Sequence, residues 1–198
     1  MYPESIRNLI ESFKRLPGIG EKTAERLTFS MINFSKEELT NFSNSIQELR
    51  DKIGKCQICG NICEGNVCNI CGNQSRNKKM IFVVEKEKDV FIFEKLGIFN
   101  GTYHVLGSLI SPLEGINPED INLSSLKRRI LNEDVEEVIL ALKPSIEGET
   151  TMQYIKKILE DTSVKVSKIA TGIPLGADME YIDTLTLELA LEERKNIS

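Results

Sequence analysis

Four cysteines constrain this chain more than any other feature. In "CQICGNICEGNVCNIC", Cys56-x2-Cys59 and Cys68-x2-Cys71 are separated by eight residues and set among Gly and Asn, with little apolar material nearby. A segment of this composition needs a staple to hold one shape. Two CxxC knuckles at this spacing can present four thiolates tetrahedrally at about 2.3 Å from a zinc ion. The alternatives are a pair of disulfides or free buried thiols. Disulfides belong to oxidising compartments, and the amino-terminal "MYPESIRNLIESF" is charged and amphipathic, without the apolar run of a secretory signal. The expectation is one structural Zn2+ per chain, closed and non-catalytic because every ligand is protein sulfur. Gly60 and Gly72 follow the second cysteine of each pair and let backbone amides turn toward the sulfurs. Cys63 lies inside the loop as a fifth cysteine, a free thiol or a competing ligand.

The segments on either side differ in character. Before the cysteines, apolar spacing predicts helices only: residues 3–14 with Ile6, Leu9, Ile10 and Phe13, a second from about Glu21 with Ala24, Leu27, Phe29 and Met31, and a third with Leu39, Phe42, Ile46, Leu49 and Ile53. Ser35 and Glu38 form a capping box for the third. "LPGIGEKTAERL" at 16–27 has the helix–hairpin–helix pattern. Gly18 and Gly20 permit a tight turn whose N–H groups can approach a polyanion, and the next helix adds its positive N-terminal end. Lys22 and Arg26 lie four apart on one face, with Lys14 and Arg15 just before the turn. Such groups grip phosphate oxygens and read little sequence. The competing reading is a corner that only packs or joins subunits.

After the cysteines the pattern becomes α/β. Strands are expected at 80–85, 102–107, 136–142 and 164–170. Helices are expected at 89–97, 123–133 (capped by Ser124 or Ser125), 149–161 and 183–196. Alternation of this kind implies a mostly parallel sheet. Charge is uneven. Residues 1–80 carry 12 Lys and Arg against 9 Asp and Glu, and residues 81–198 carry 13 against 21, which places any polyanion contact in the front. No apolar run approaches the roughly 20 residues of a membrane span, so the expected location is the cytoplasm, at the nucleoid. His104, in "TYHVLG", reads as a structural group, and Asp178 in "GIPLGAD" has no assigned role. No G-x4-G-K-[ST] loop supports nucleotide hydrolysis.

The order of these parts is itself informative. "LPGIGEKTAERLTF", the CxxC-x8-CxxC module, "VVEKEKDV", "YHVLGSLISPLEGI", "IEGET" and "TGIPLGADMEY" together resemble the RecR family of bacterial recombination mediators over essentially the whole chain. The resemblance implies a Toprim domain, a homo-oligomeric ring or clamp (dimer or tetramer) on DNA, and partnership with the RecO and RecF repair proteins. Catalytic Toprim domains hold Mg2+ with a glutamate ending the first strand and a D-x-D pair after a later one. Glu85 matches the glutamate. In "LALKPSIEGET", however, Lys143 and Ser145 occupy the aspartate places, while Glu147 and Glu149 match a later pair. A lysine puts a cation beside the intended metal, and serine is a weak ligand, which argues against bound Mg2+. Glu85, Glu147 and Glu149 are then a degenerate acidic site or a partner surface.

The expected fold is a multidomain α+β chain. A helix–hairpin–helix domain for DNA binding and oligomerisation spans 1–53. A four-cysteine zinc finger spans 54–78, an α/β Toprim domain with a mostly parallel sheet 79–174, and a C-terminal helical segment 175–198. The expected function is a non-enzymatic DNA-binding mediator of recombination and DNA repair, acting with RecO and RecF at gapped or single-stranded DNA. The rival is a Mg2+-dependent Toprim nuclease or primase-like enzyme using Glu85, Glu147 and Glu149.

Overall fold

The computed structural model describes residues 2–170, 172–192 and 194. Two compact units divide the chain between Ile53 and Gly54.

The first unit is helical. Helix α1 (Glu4–Lys14) and helix α2 (Glu21–Met31) pack against each other and bury Ile10, Ala24 and Thr28. On α2 the inward stripe is Ala24, Leu27, Thr28 and Met31, the i, i+3, i+4, i+7 row of one helix face. Phe29, expected on that stripe, lies off the row and is exposed. Helix α3 (Lys36–Lys52) opens at the expected capping box, in which Ser35 Oγ accepts from Glu38 N at 3.2 Å and Glu38 Oε2 from Ser35 N at 2.7 Å. The apolar stripe of α3 has no core to enter. Leu39, Phe42, Ile46 and Leu49 are all exposed, Leu49 at 67%.

The second unit begins with the cysteine module: strand β1 (Ile53–Lys55), strand β2 (Ile62–Glu64) and the short helix α4 (Asn69–Gly72). These elements carry no apolar periodicity, and the sequence does not announce them. An α/β body follows: β3 (Asn77–Val84), α5 (Glu87–Leu96), β4 (Gly101–Val105), α6 (Leu123–Asn132), β5 (Glu137–Ala141), α7 (Ile146–Ile158) and β6 (Lys165–Lys168), then α8 (Thr184–Glu192). The tail of the expected last helix, beyond 192, lies outside the described residues apart from Arg194.

The sheet is parallel, in the order β4-β3-β5-β6. Alternate residues of β3 face opposite ways. Ile81 and Val83 enter a core with Leu126 and Ile130 of α6 and Met152 and Ile155 of α7. Phe82 and Val84 enter a second core with Val90 of α5 and with Tyr103 and Val105. Each face of the sheet is thus covered, as a parallel sheet requires.

The cap of α6 and the start of α7 differ from expectation. Asn122, not Ser124 or Ser125, is the N-cap of α6, because its chain direction is held from outside. Asn122 N donates to Leu106 O at 3.0 Å and its side-chain amide to Val105 O at 3.1 Å. Helix α7 begins at Ile146, three residues before Glu149, because Ser145 Oγ accepts from Gly148 N at 3.2 Å.

Candidate metal centre and nucleic-acid interface

The knuckles bring Cys56, Cys59, Cys68 and Cys71 together. All four are buried, and their sulfurs lie within 4.8 Å of one another. Cys59 Sγ and Cys68 Sγ are 3.6 Å apart, close to the roughly 3.8 Å edge of a tetrahedron of sulfurs around zinc. Backbone amides face the cluster: Cys68 N donates to Cys56 Sγ at 3.3 Å, and Cys71 N to Cys68 Sγ at 3.4 Å. Such donors spread thiolate charge and orient the ligands.

As free thiols, the four cannot all ionise at this spacing. Its hydrogen bond with the Cys68 sulfur pushes Cys59 up to about 12. Cys71 is raised by its contacts with Cys59 and Cys68, while Cys68, accepting from Cys59 and Cys71, is pushed down. A divalent soft cation removes this conflict by replacing the shared protons. The donor set and geometry are those of a closed, structural zinc site. Cys63 stays outside it, with Sγ 3.3 Å from Gly65 O.

The two glycines differ. Gly60 has φ +77°, in the left-handed region, and its N–H bonds Cys56 O at 2.9 Å. A Cβ there would meet Asn122 Nδ2 at 2.9 Å and Val105 O at 3.1 Å. Gly72 has an ordinary φ, ends α4, and bonds Cys68 O rather than a sulfur. The tight fit at Gly60 has a purpose: Val105 N donates to Cys59 O at 2.8 Å, so the first knuckle caps the outer side of β4. Other groups complete the cap. Arg129 Nη1 donates to Tyr103 O at 2.8 Å, and Arg76 Nη1 to Gly101 O at 3.4 Å. Arg76 also pairs with Glu94. The sheet edge is therefore sealed by side chains and a zinc knuckle in place of another strand.

At the hairpin, Gly18 has φ +79° and Gly20 is the N-cap of α2 without a capping side chain. Nothing lies within 4 Å of a Cβ built at either, and no side chain caps the first-turn amides of α2. Arg15, Lys22 and Arg26 are exposed. Lys14 is differently engaged. Its ammonium bridges Glu11 at 2.8 Å and Glu21 at 2.6 Å, and these two carboxylates raise its pKa. It ties α1 to α2 across the turn.

At the C-terminal rim of the sheet, Glu85 directly follows β3 and Lys143 follows β5. Both line a cleft of roughly 500 Å3. Glu147 and Glu149 lie on the first turn of α7. The Glu147 carboxyl is held below its usual range by its own amide, by Ser145 and by Lys143. Glu149 reaches toward Lys168, 3.8 Å away. Among the described residues the cysteines form the cluster that could hold a metal, and the three glutamates form none. Lys86 and Lys88 also line the cleft. Their signal in the sequence is the alternation "EKEK" at residues 85–88, directly after the strand.

His104 is fully buried on β4, with Nε2 2.7 Å from Asn122 O. Burial, more than the nearby Arg129 charge, lowers it to about 4, so it is neutral at pH 7 and donates to that carbonyl.

Known family models match along the chain in the same order as these structures: RecR helix-hairpin-helix over residues 6–50, the RecR four-cysteine zinc finger domain over 53–73, Toprim domain over 79–170 and RecR C-terminal over 172–195. The cysteine cluster is thus a structural site for one zinc ion, the α/β body is a Toprim domain, and the chain belongs to the RecR family.

Proposed function

We propose that this chain is a non-enzymatic recombination mediator that grips gapped or single-stranded DNA as a homo-oligomeric clamp and works with RecO and RecF proteins. The observation that carries the reading is the open hairpin. Uncapped amides at the start of α2 stand beside exposed Arg15, Lys22 and Arg26, an arrangement suited to phosphate oxygens. Assignment of Gly18, Gly20, Lys14, Arg15, Lys22 and Arg26 to DNA contact belongs to this proposal, with Lys14 acting mainly as the brace. Few basic residues per chain give useful affinity when several chains bind together. The exposed stripe of α3 supplies an apolar face for such assembly.

The non-catalytic character is supported by Lys143 and Ser145. Lys143 is exposed at the rim, and Ser145 is spent on capping α7. The division of the chain at 53/54, 78/79 and 174/175 follows the functional parts: hairpin, zinc finger, Toprim domain and C-terminal segment. Fluorescence anisotropy on gapped DNA across a salt series tests the DNA contact. Lys22→Ala with Arg26→Ala should weaken binding at least tenfold and reduce the salt slope by about 2. Unchanged affinity at low salt sinks the reading. Light scattering with and without purified RecO tests assembly, and a strictly monomeric protein indifferent to both DNA and RecO contradicts the clamp.

A further inference from the structure

The cleft between β3 and β5 occupies a special place in the sheet. From β3 the chain crosses to β4 on one side, and from β5 it crosses to β6 on the other. Their C-terminal ends part where the winding reverses, the crevice in which open α/β sheets bind ligands. Five charged side chains line it: Glu85, Lys86, Lys88, Asp89 and Lys143. Both carboxylates are engaged locally. Glu85 Oε1 lies 3.2 Å from Lys86 Nζ, and Asp89 Oδ2 accepts the Lys86 backbone N–H at 3.0 Å. Helix α5 begins at the same rim with Lys86 as its N-cap, adding partial positive charge. Lys88 and Lys143 remain, one from each wall; no carboxylate lies within ion-pair distance of either among the described residues, and Lys143 acts on Glu147 only through its longer-range field.

We propose that this cleft binds a terminal, nearly dianionic phosphate, that of a DNA strand end (a monoester) or of a nucleotide, with Lys88 and Lys143 as the gripping cations. A monoester carries close to two negative charges at neutral pH, whereas an internal diester carries one. Two ammonium groups therefore favour an end over the backbone. The lysine that displaces a metal carboxylate supplies the positive charge itself, so the phosphate needs no metal bridge. A cleft of roughly 500 Å3 also leaves room for the attached nucleoside. The strand-end version deepens the mediator reading and rests on it: the hairpin would hold the duplex or gap, and the cleft its phosphorylated end.

The test compares gapped DNA carrying a 5′-phosphate or a 5′-hydroxyl at the gap, alongside NMR titrations of the full chain with inorganic phosphate and with ATP. The expected result is about tenfold tighter binding of the phosphorylated gap, with amide shifts at residues 85–89 and 141–143. Lys88→Gln with Lys143→Gln should erase the preference while leaving 5′-hydroxyl DNA binding intact, and Lys143→Arg should retain it. An end preference that ATP does not compete away assigns the strand end, amide shifts from ATP without an end preference assign the nucleotide, and an end preference that ATP competes away assigns both to the one cleft. Equal affinity for both ends, with no shifts from phosphate or ATP, overturns the proposal and leaves the mediator reading standing. If 5′-hydroxyl DNA does not bind at all, the mediator reading fails, and the phosphate and ATP titrations still decide the cleft.

Discussion

The backbone N–H of Val105 donates to the carbonyl of Cys59 at 2.8 Å. A zinc-ligand residue thereby closes the outer hydrogen-bonding side of β4, an edge strand whose five residues are all buried. Metal binding and Toprim stability should therefore be coupled through this contact.

Zinc removal should loosen the sheet as well as the finger. Chelator treatment, or Cys59→Ser, should release one equivalent of zinc. It should also raise hydrogen exchange at the β4 amides and lower Tm by several degrees. Exchange confined to residues 54–73 would contradict the coupling.

Gly148 should tolerate no side chain. A Cβ there would lie 1.9 Å from Lys143 O, so Gly148→Ala must displace the β5–α7 turn at a cost of about 1–3 kcal/mol. Ser145→Ala removes only the cap and should cost about 1 kcal/mol. Urea unfolding of the two variants checks both the size and the order.

Arg129 should matter more than an ordinary helix arginine. It is 6% exposed, and it donates to Tyr103 O at 2.8 Å and to Thr102 Oγ1 at 3.1 Å. Arg129→Met leaves the buried Tyr103 carbonyl without its donor and Thr102 Oγ1 with only its own bond to Met80 O, which should cost about 2–4 kcal/mol by chemical denaturation. Arg128→Met, one residue earlier and exposed, should change stability by less than about 0.5 kcal/mol.

His104 sets a pH dependence. Its folded pKa, about 4, lies below the ordinary 6.5, so the unfolded chain binds the extra proton between those values. This contribution to stability is complete above pH 6.5 and is lost as pH falls toward 4, by about 3 kcal/mol at most. The slope of unfolding free energy between pH 7 and 4.5 should be flatter in His104→Gln than in the native chain. Equal slopes would show that His104 does not titrate on unfolding in that window.

Some of this molecule is decided locally and some is not. Periodicity and spacing alone place α1, the parallel strands and the four cysteines, because an amphipathic face or a pair of knuckles is written in adjacent residues. The capping box of α3 is equally local. The sequence does not identify the N-cap of α6, since Asn122 is held by Leu106 and Val105 from a different element. It also does not reveal the stripe of α3 as exposed, because apolar spacing states that a face wants cover and not what covers it. "LALKPSIEGET" shows the same division. Its residues alone identify Lys143 as a cation where a metal ligand belongs. Only the sheet order, which sets β5 beside β3, brings that lysine into one cleft with Lys86 and Lys88. Adjacency across strands far apart in the chain is a property of packing, and packing is where the character of this site is settled.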